Sequence, residues 1–327
     1  MPPPPENFAD ALVLTGPTGS GKSSLALDLA ATLNAEIVSA DSMTVYRHMD
    51  IGTAKPTAAE RARVPHHLID ALDPWQSASV AWWLEAADAA CRDIRSRGKR
   101  PLFVGGTPFY LKALRFGLFD APPSDPELRQ RLEAEATADR LGVFDRLRKA
   151  DPKAAARLHP NDIRRVARAL EVFTLTGRPI SDFQTTWDNP GFGNNPPPIG
   201  LPWAVIEWPR AELYARIDRR VEAMLAAGWL DEVRRLRELP QPLSREAGQA
   251  LGYAELFAVL DGELSPDAAT GAIQTRTRQF AKRQLTWFRG LRPGTATPFI
   301  ATSDDLYEDL TRHYASSVEG RSDFALS

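Results

Sequence analysis

Cysteine is nearly absent. Cys91 is the only one in 327 residues, so neither an intrachain disulfide framework nor a cysteine-built zinc module can be assembled. Histidine is scarce as well, at five. An excess of one charge is missing too, with 40 Lys and Arg against 42 Asp and Glu for a net of -2. The balance holds locally, at 12 basic to 13 acidic residues over 1–120, 12 to 11 over 121–200 and 16 to 18 over 201–327, which excludes a basic arm and an acidic solvating tail. No run of about 18 apolar residues occurs, and the start, MPPPPENFAD, lacks a basic segment followed by an apolar one. Neither a spanning helix nor a signal peptide is therefore expected. A soluble chain in a reducing cytoplasm fits these absences, with Cys91 a small buried side chain on a helix.

Apolar residues are plentiful, at 43%, and a chain of this length exceeds what one core usually supports. Two domains, or one domain with an insertion, are expected. Ala11 to Thr15 (ALVLT) reads as a buried strand, followed directly by GPTGSGKS and by SLALDLAATL with helical spacing. A second apolar run, Glu36 to Ala40, ends on Asp41, and PLFVGG at 101–106 again runs from strand into glycines. HHLID at 66–70 is a candidate third strand, and Ser79 to Arg97 reads as a helix. Strands alternating with helices give the fold class: α/β, a P-loop NTPase-like parallel sheet core carrying an all-helical insertion. The expected organisation is a disordered leader at 1–10, the first part of the core at 11–123, and the insertion at 124–187, opening on a Ser124 cap. A Pro/Gly-rich linker at 188–200 precedes the return to the core at 201–310, with one long helix over 211–239, and a frayed tail at 311–327.

Gly16-Pro17-Thr18-Gly19-Ser20-Gly21-Lys22-Ser23 matches the phosphate-loop pattern without a gap, between the strand and helix that the pattern requires. Its backbone N–H groups can turn inward around phosphate oxygens, Lys22 can reach the outer phosphates, and the Ser23 hydroxyl can hold Mg2+. The loop does not say whether the phosphates belong to a nucleotide such as ATP or to a diphosphate leaving group. A small-molecule kinase, a transferase and a nucleotide-gated RNA-binding protein all remain open. Asp41 at a strand end is either a general base or a turn cap. Gly105-Gly106-Thr107 is either a close ligand approach or a plain strand-to-helix turn. His66 and His67 read as structural side chains, since no cysteine accompanies them. Arg164, Arg165 and Arg168 on one helix, and Arg216 with Arg220 on another, are anion-binding candidates or solvated faces. Arg276, Phe280, Arg283 and Trp287 form a stripe read as core packing.

GPTGSGKS, SADSMTVYRHMDIGTAKP, HHLID, LFVGGTPFYLKAL, HPNDIRRVARALEVF and TRQFAKRQLTWFRG, taken in that order, resemble the bacterial tRNA dimethylallyltransferases, over roughly residues 10 to 290. The resemblance implies transfer of a dimethylallyl group from dimethylallyl diphosphate to N6 of the adenosine 3′-adjacent to the anticodon, in tRNAs reading codons that begin with U. It further implies that Gly16 to Ser23 with Arg216 and Arg220 bind the donor diphosphate, and that Mg2+ sits on Ser23. Asp41 is then the base, and Thr107 positions the donor oxygen. The implied tRNA contacts are Asp41, Ser42, Met43, Thr44 (a glutamine in most members), Thr107, Arg129 and the run Arg164, Arg165, Val166, Ala167, Arg168. The implied partners are a tRNA anticodon stem-loop and dimethylallyl diphosphate; the sequence itself shows no membrane segment and no obligate protein partner, and a monomer is expected. The chain has no C-terminal Cys/His cluster of the kind some eukaryotic members carry.

Overall fold

The computed structural model describes residues 3–118, 124–184, 202–290, 299–301 and 305–319. These gather into two compact units, one from 116 to 184 and the other combining 3–115 with everything described from 202 onward. The linker expected at 188–200 lies outside the described residues.

In the larger unit the chain runs β1 (Leu12–Thr15), α1 (Lys22–Thr32), β2 (Ala35–Ser39), α2 (Ala58–Arg63), β3 (His66–His67), α3 (Val80–Ser96), β4 (Arg100–Gly105) and α4 (Pro108–Phe116). The smaller unit holds α5 (Pro126–Ala138), α6 (Arg140–Ala150), α7 (Pro152–Arg157), α8 (Ile163–Thr176) and α9 (Ile180–Phe183). The larger unit resumes with β5 (Trp203–Glu207), α10 (Arg210–Ala226), α11 (Trp229–Arg237), α12 (Tyr253–Leu260), α13 (Pro266–Gly290), β6 (Phe299–Ala301) and α14 (Leu306–Glu319). Among the described residues no helix is long and apolar enough to cross a membrane.

The sheet is six-stranded and parallel throughout, in the order β3-β2-β4-β1-β5-β6. Strand side chains alternate between faces, so Leu12 and Leu14 join Ala26 and Leu29 of α1 and Leu310 and Tyr314 of α14 in one core layer. Phe103 points the other way and meets the rings of Phe8 and Trp83 at 5.9 and 6.0 Å. β1 lies between β4 and β5, and the chain leaves it first toward β2 and only later supplies β5. The loops after β1, β2 and β4 therefore open at the carboxyl ends of neighbouring strands, where sheets of this kind form a crevice.

Five expectations are corrected. The 1–10 leader is packed from Pro5: Pro5–Phe8 makes a 3-10 turn, Phe8 is fully buried, and Arg95 pairs with Asp10. The tail at 311–327 and the boundary at 310 fail because α14 continues to Glu319, with the Tyr314 hydroxyl donating to Val13 O at 2.6 Å. The HHLID strand stops after His67, since Leu68 and Asp70 take left-handed φ values of 63° and 55°. The long helix over 211–239 breaks into α10 and α11 at Gly228, whose φ of 95° a continuing helix cannot accommodate. The cap of α5 is Asp125, which accepts Leu128 N at 3.0 Å, while the Ser124 hydroxyl accepts from Arg129.

Candidate active site

The phosphate loop joins β1 to α1. Gly19 and Gly21 adopt φ values of 82° and 85°, a conformation that L side chains rarely take, and no side chain caps α1. The first N–H groups of α1 thus have no intrahelical acceptor and form a ready anion cradle. The loop is braced from β5 and α10. Trp208 donates its indole N–H to Ser20 O at 2.9 Å, and Arg216 stacks over that indole at 4.2 Å while donating to Gly19 O at 2.9 Å.

Lys22 and Arg220 line a cavity of about 600 Å³ together with Thr18, Ser23, Asp41 and Thr107. Burial, and then the neighbouring Arg220 charge, lower the Lys22 ammonium pKa to about 8, with Asp41 pulling the other way. Arg220 is likewise held below its ordinary value by burial first, with Arg216 adding and Asp41 opposing. Lys22 and Arg220 therefore share a corner of the cavity in which Asp41 is the carboxylate acting on both, with Arg216 next to it on the loop. Such a corner is satisfied by an anion carrying more than one charge.

Asp41 follows β2, and its Oδ1 accepts Met43 N at 2.8 Å. The turn-cap reading of this residue is the one observed, and capping occupies one carboxylate oxygen while leaving the other. Thr107 N donates to Ala40 O at 3.2 Å, and the Thr107 hydroxyl accepts Ser42 N at 2.9 Å, so the loops after β2 and β4 are stitched together. The close approach that requires Gly105 is made by protein: a Cβ there would fall 2.2 Å from the Ala40 carbonyl. Thr44 lines the cavity but is buried, with its hydroxyl 2.8 Å from that of Ser39.

Sequence reasoning missed Gln284. It is 3% exposed on α13, accepts Thr18 N at 2.9 Å and donates to Gly106 O at 2.7 Å, clamping the phosphate loop to the loop after β4. The sequence signal was a polar residue at an otherwise apolar helical position, beside Ala281 and Phe288. The stripe read as core packing is also corrected: Arg276, Phe280 and Arg283 line the cavity, and the buried positions of α13 are Ala269, Ile273, Ala281, Gln284 and Phe288. His66 and His67 are held structurally, by Val64 O and by Glu36, each at 2.7 Å. Cys91 is fully buried, and burial pushes its thiol up to about 12.

In the smaller unit α8 divides the predicted contact run. Val166 and Ala167 are buried in that unit's core with Leu132, Phe144 and Leu147, which corrects their assignment as tRNA contacts. Arg129 and Arg168 both pair with the fully buried Glu171, at 2.8 and 2.9 Å. Arg164 and Arg165 are exposed, and among the described residues their side chains make only a loose 3.3 Å pair, from Arg165 to Asp162.

A doubly wound parallel sheet, an uncapped phosphate loop and a half-buried cation corner with one strand-end carboxylate define a P-loop protein whose site suits a phosphorylated ligand. The chain belongs to the IPP transferase family: the model of that description matches residues 44–291, and one described as isopentenyl transferase matches 9–70. It is similar to tRNA dimethylallyltransferase 1 of Trichlorobacter lovleyi, 49% identical over 85% of this chain and 90% of that one. The protein of the same description from Citrifermentans bemidjiense is 50% identical over 86% and 90%. Among solved structures, the full-length tRNA isopentenylpyrophosphate transferase of Bacillus halodurans is 38% identical, with a TM-score of 0.68 over 96% of this chain and 99% of that one. A eukaryotic dimethylallyltransferase acting on tRNA is 28% identical, with a TM-score of 0.75 over 95% and 78%.

Proposed function

We propose that this chain transfers a dimethylallyl group from dimethylallyl diphosphate to N6 of the adenosine 3′-adjacent to the anticodon, in tRNAs reading codons that begin with U. The products are N6-(dimethylallyl)adenosine and diphosphate. The observation that carries this reading is the shared cavity, which brings the cations Lys22 and Arg220 together with Asp41, Thr107 and the apolar side chains of Ile217, Val221, Met224 and Phe280. A kinase reading rests on the phosphate loop alone.

In this reading the donor diphosphate lies against the N–H groups of Gly19 to Ser23, Lys22 and Arg220, with Arg216 bracing the loop from behind. Thr107 accepts Ser42 N–H at 2.9 Å and donates only a long bond of 3.4 Å to Ser42 Oγ, so its hydroxyl proton can turn to the donor oxygen. N6 attacks the allylic carbon, the carbon–oxygen bond to diphosphate breaks, and the N6 proton passes to the free oxygen of Asp41. The exocyclic amine is weakly nucleophilic because its lone pair is shared with the ring. Stabilisation of the leaving diphosphate in a partly shielded, positive corner is therefore the larger part of catalysis. Among the described residues no group of three His, Cys, Asp or Glu could cage a metal, while the Ser23 hydroxyl stands exposed on the first turn of α1. That donor set fits Mg2+ shared with phosphate oxygens, and when bound the ion neutralises charge on the departing diphosphate. Arg164 and Arg165 are the insertion's candidates for the tRNA backbone. The reading carries with it a cytoplasmic monomer.

Incubation with radiolabelled dimethylallyl diphosphate and an anticodon stem-loop, without ATP, tests it. Label should move to the RNA, and should not move when inosine, which lacks the amine, replaces the target adenosine. Absence of transfer, or ATP-dependent phosphorylation of an added acceptor, overturns the reading.

A further inference from the structure

Helix α11 grips the loop that runs from Asp41 to Lys55 at a point remote in sequence. Glu232 is 2% exposed, and its Oε2 accepts Asp50 N and Ile51 N at 2.7 Å each. Its Oε1 accepts Gly52 N at 3.2 Å and the Tyr253 hydroxyl at 2.7 Å. Three successive N–H groups thus converge on one carboxylate, a backbone anion nest filled from within the chain. Beside it Trp229 lies across two glycines: a Cβ on Gly52 would fall 2.1 Å from its Nε1, and one on Gly252 2.2 Å from its Cη2. The far end of the segment is tied by Lys55, whose Nζ donates to Tyr46 O at 2.7 Å, Asp50 Oδ1 at 2.5 Å and Asp70 Oδ1 at 2.6 Å.

Gly52, Thr53 and Ala54, between these two anchors, line the cavity. They continue the loop that begins at Asp41, whereas the diphosphate corner is braced by Trp208, Arg216 and Gln284. Burying a carboxylate costs several kcal/mol, and an apolar side chain would dock α11 equally well, so packing alone does not account for Glu232. What an apolar residue cannot do is hold three adjacent N–H groups in one orientation.

We propose that Glu232 is a positioning residue for the acceptor: by holding Asp50, Ile51 and Gly52 it fixes the cavity wall against which the target nucleoside is seated. This rests on the transferase reading above. The test is Glu232→Gln, which keeps the shape but turns an amide N–H2 toward the loop donors, assayed for single-turnover transfer with donor and stem-loop varied in turn. The expected result is a rise of about tenfold in the stem-loop KM, equivalent to about 1.4 kcal/mol, with the donor KM and the rate at saturation unchanged. Amide hydrogen exchange should quicken at 50–54 while the helices of the sheet core stay protected, a pattern that general destabilisation would not produce. If the amide variant does not fold, Glu232→Asp, which keeps the charge but withdraws it by one methylene, carries the same expectation. A wild-type stem-loop KM in a folded variant, or a fall in saturated rate without a KM change, overturns the proposal. Wild-type enzyme in the same assay separates the two claims, since its failure to transfer label would sink the transferase reading itself.

Discussion

At the scale of single residues, the site is decided by how each polar atom is already used. Asp41 spends Oδ1 on Met43 N and keeps the other oxygen. Asp41→Asn preserves the cap and removes the basicity, so single-turnover transfer should fall about 10²- to 10⁴-fold with stem-loop affinity intact. Transfer at the wild-type rate would eliminate Asp41 as the base. Lys22 offers a pH signature. Its pKa is lowered to about 8, so the free enzyme loses this cation as pH rises through that value. The donor kcat/KM should fall above pH 8, while the rate at saturating donor holds because bound diphosphate keeps the lysine protonated. A donor kcat/KM that stays flat to pH 9.5, about 1.5 units past that midpoint, would remove Lys22 from the site. The nature of these groups was legible in the sequence; their hydrogen-bond partners were not, since Thr107 with Ser42 and Gln284 with Thr18 are separated by 65 and 266 residues.

At the scale of elements, the start of the sheet depends on one buried acid. Glu36 on β2 is 1% exposed and pairs with Arg97 after α3, His67 on β3 and Lys99 before β4. The Arg97 guanidinium, with His67 and Lys99 adding and burial opposing, pulls its carboxyl from 4.5 down to about 2. A depressed carboxyl pKa contributes stability that is present above 4.5 and lost as pH falls toward 2. Glu36→Gln should therefore cost about 3 kcal/mol in urea unfolding at pH 7. The gap between variant and wild type should close progressively below pH 4.5. A gap independent of pH would mean that the ion cluster is not its source. Helix periodicity located α3 well, because Ser79 caps it and the apolar spacing marks it. It overran Gly228, since a glycine inside an amphipathic pattern does not announce a left-handed turn.

At the scale of the whole molecule, the phosphate chemistry and the basic helix reside in separate units, so their contributions should separate in experiment. Arg165 is 75% exposed, in an ion pair of little worth, whereas Arg168 is 23% exposed against buried Glu171. Arg164→Ala and Arg165→Ala should each reduce the slope of log K against log salt for stem-loop binding by roughly 0.7 to 0.9, leaving the donor KM unchanged. Arg168→Ala should instead lower the melting temperature, because it strips a partner from a buried carboxylate. Unaltered salt slopes for both exposed arginines would remove α8 from the RNA interface. By itself the sequence determined the class of fold, the phosphate loop and the family, because these depend on local order: strand, glycine turn and helix follow one another along the chain. Tertiary structure alone decided which of the arginines carry unbalanced charge, that Gln284 and Glu232 brace loops lining the cavity, and that Pro5–Phe8 and α14 are packed. Each of those outcomes depends on what a side chain meets across tens to hundreds of residues, as Tyr314 meets Val13, and burial there sets whether a charge is a ligand site or a structural pair.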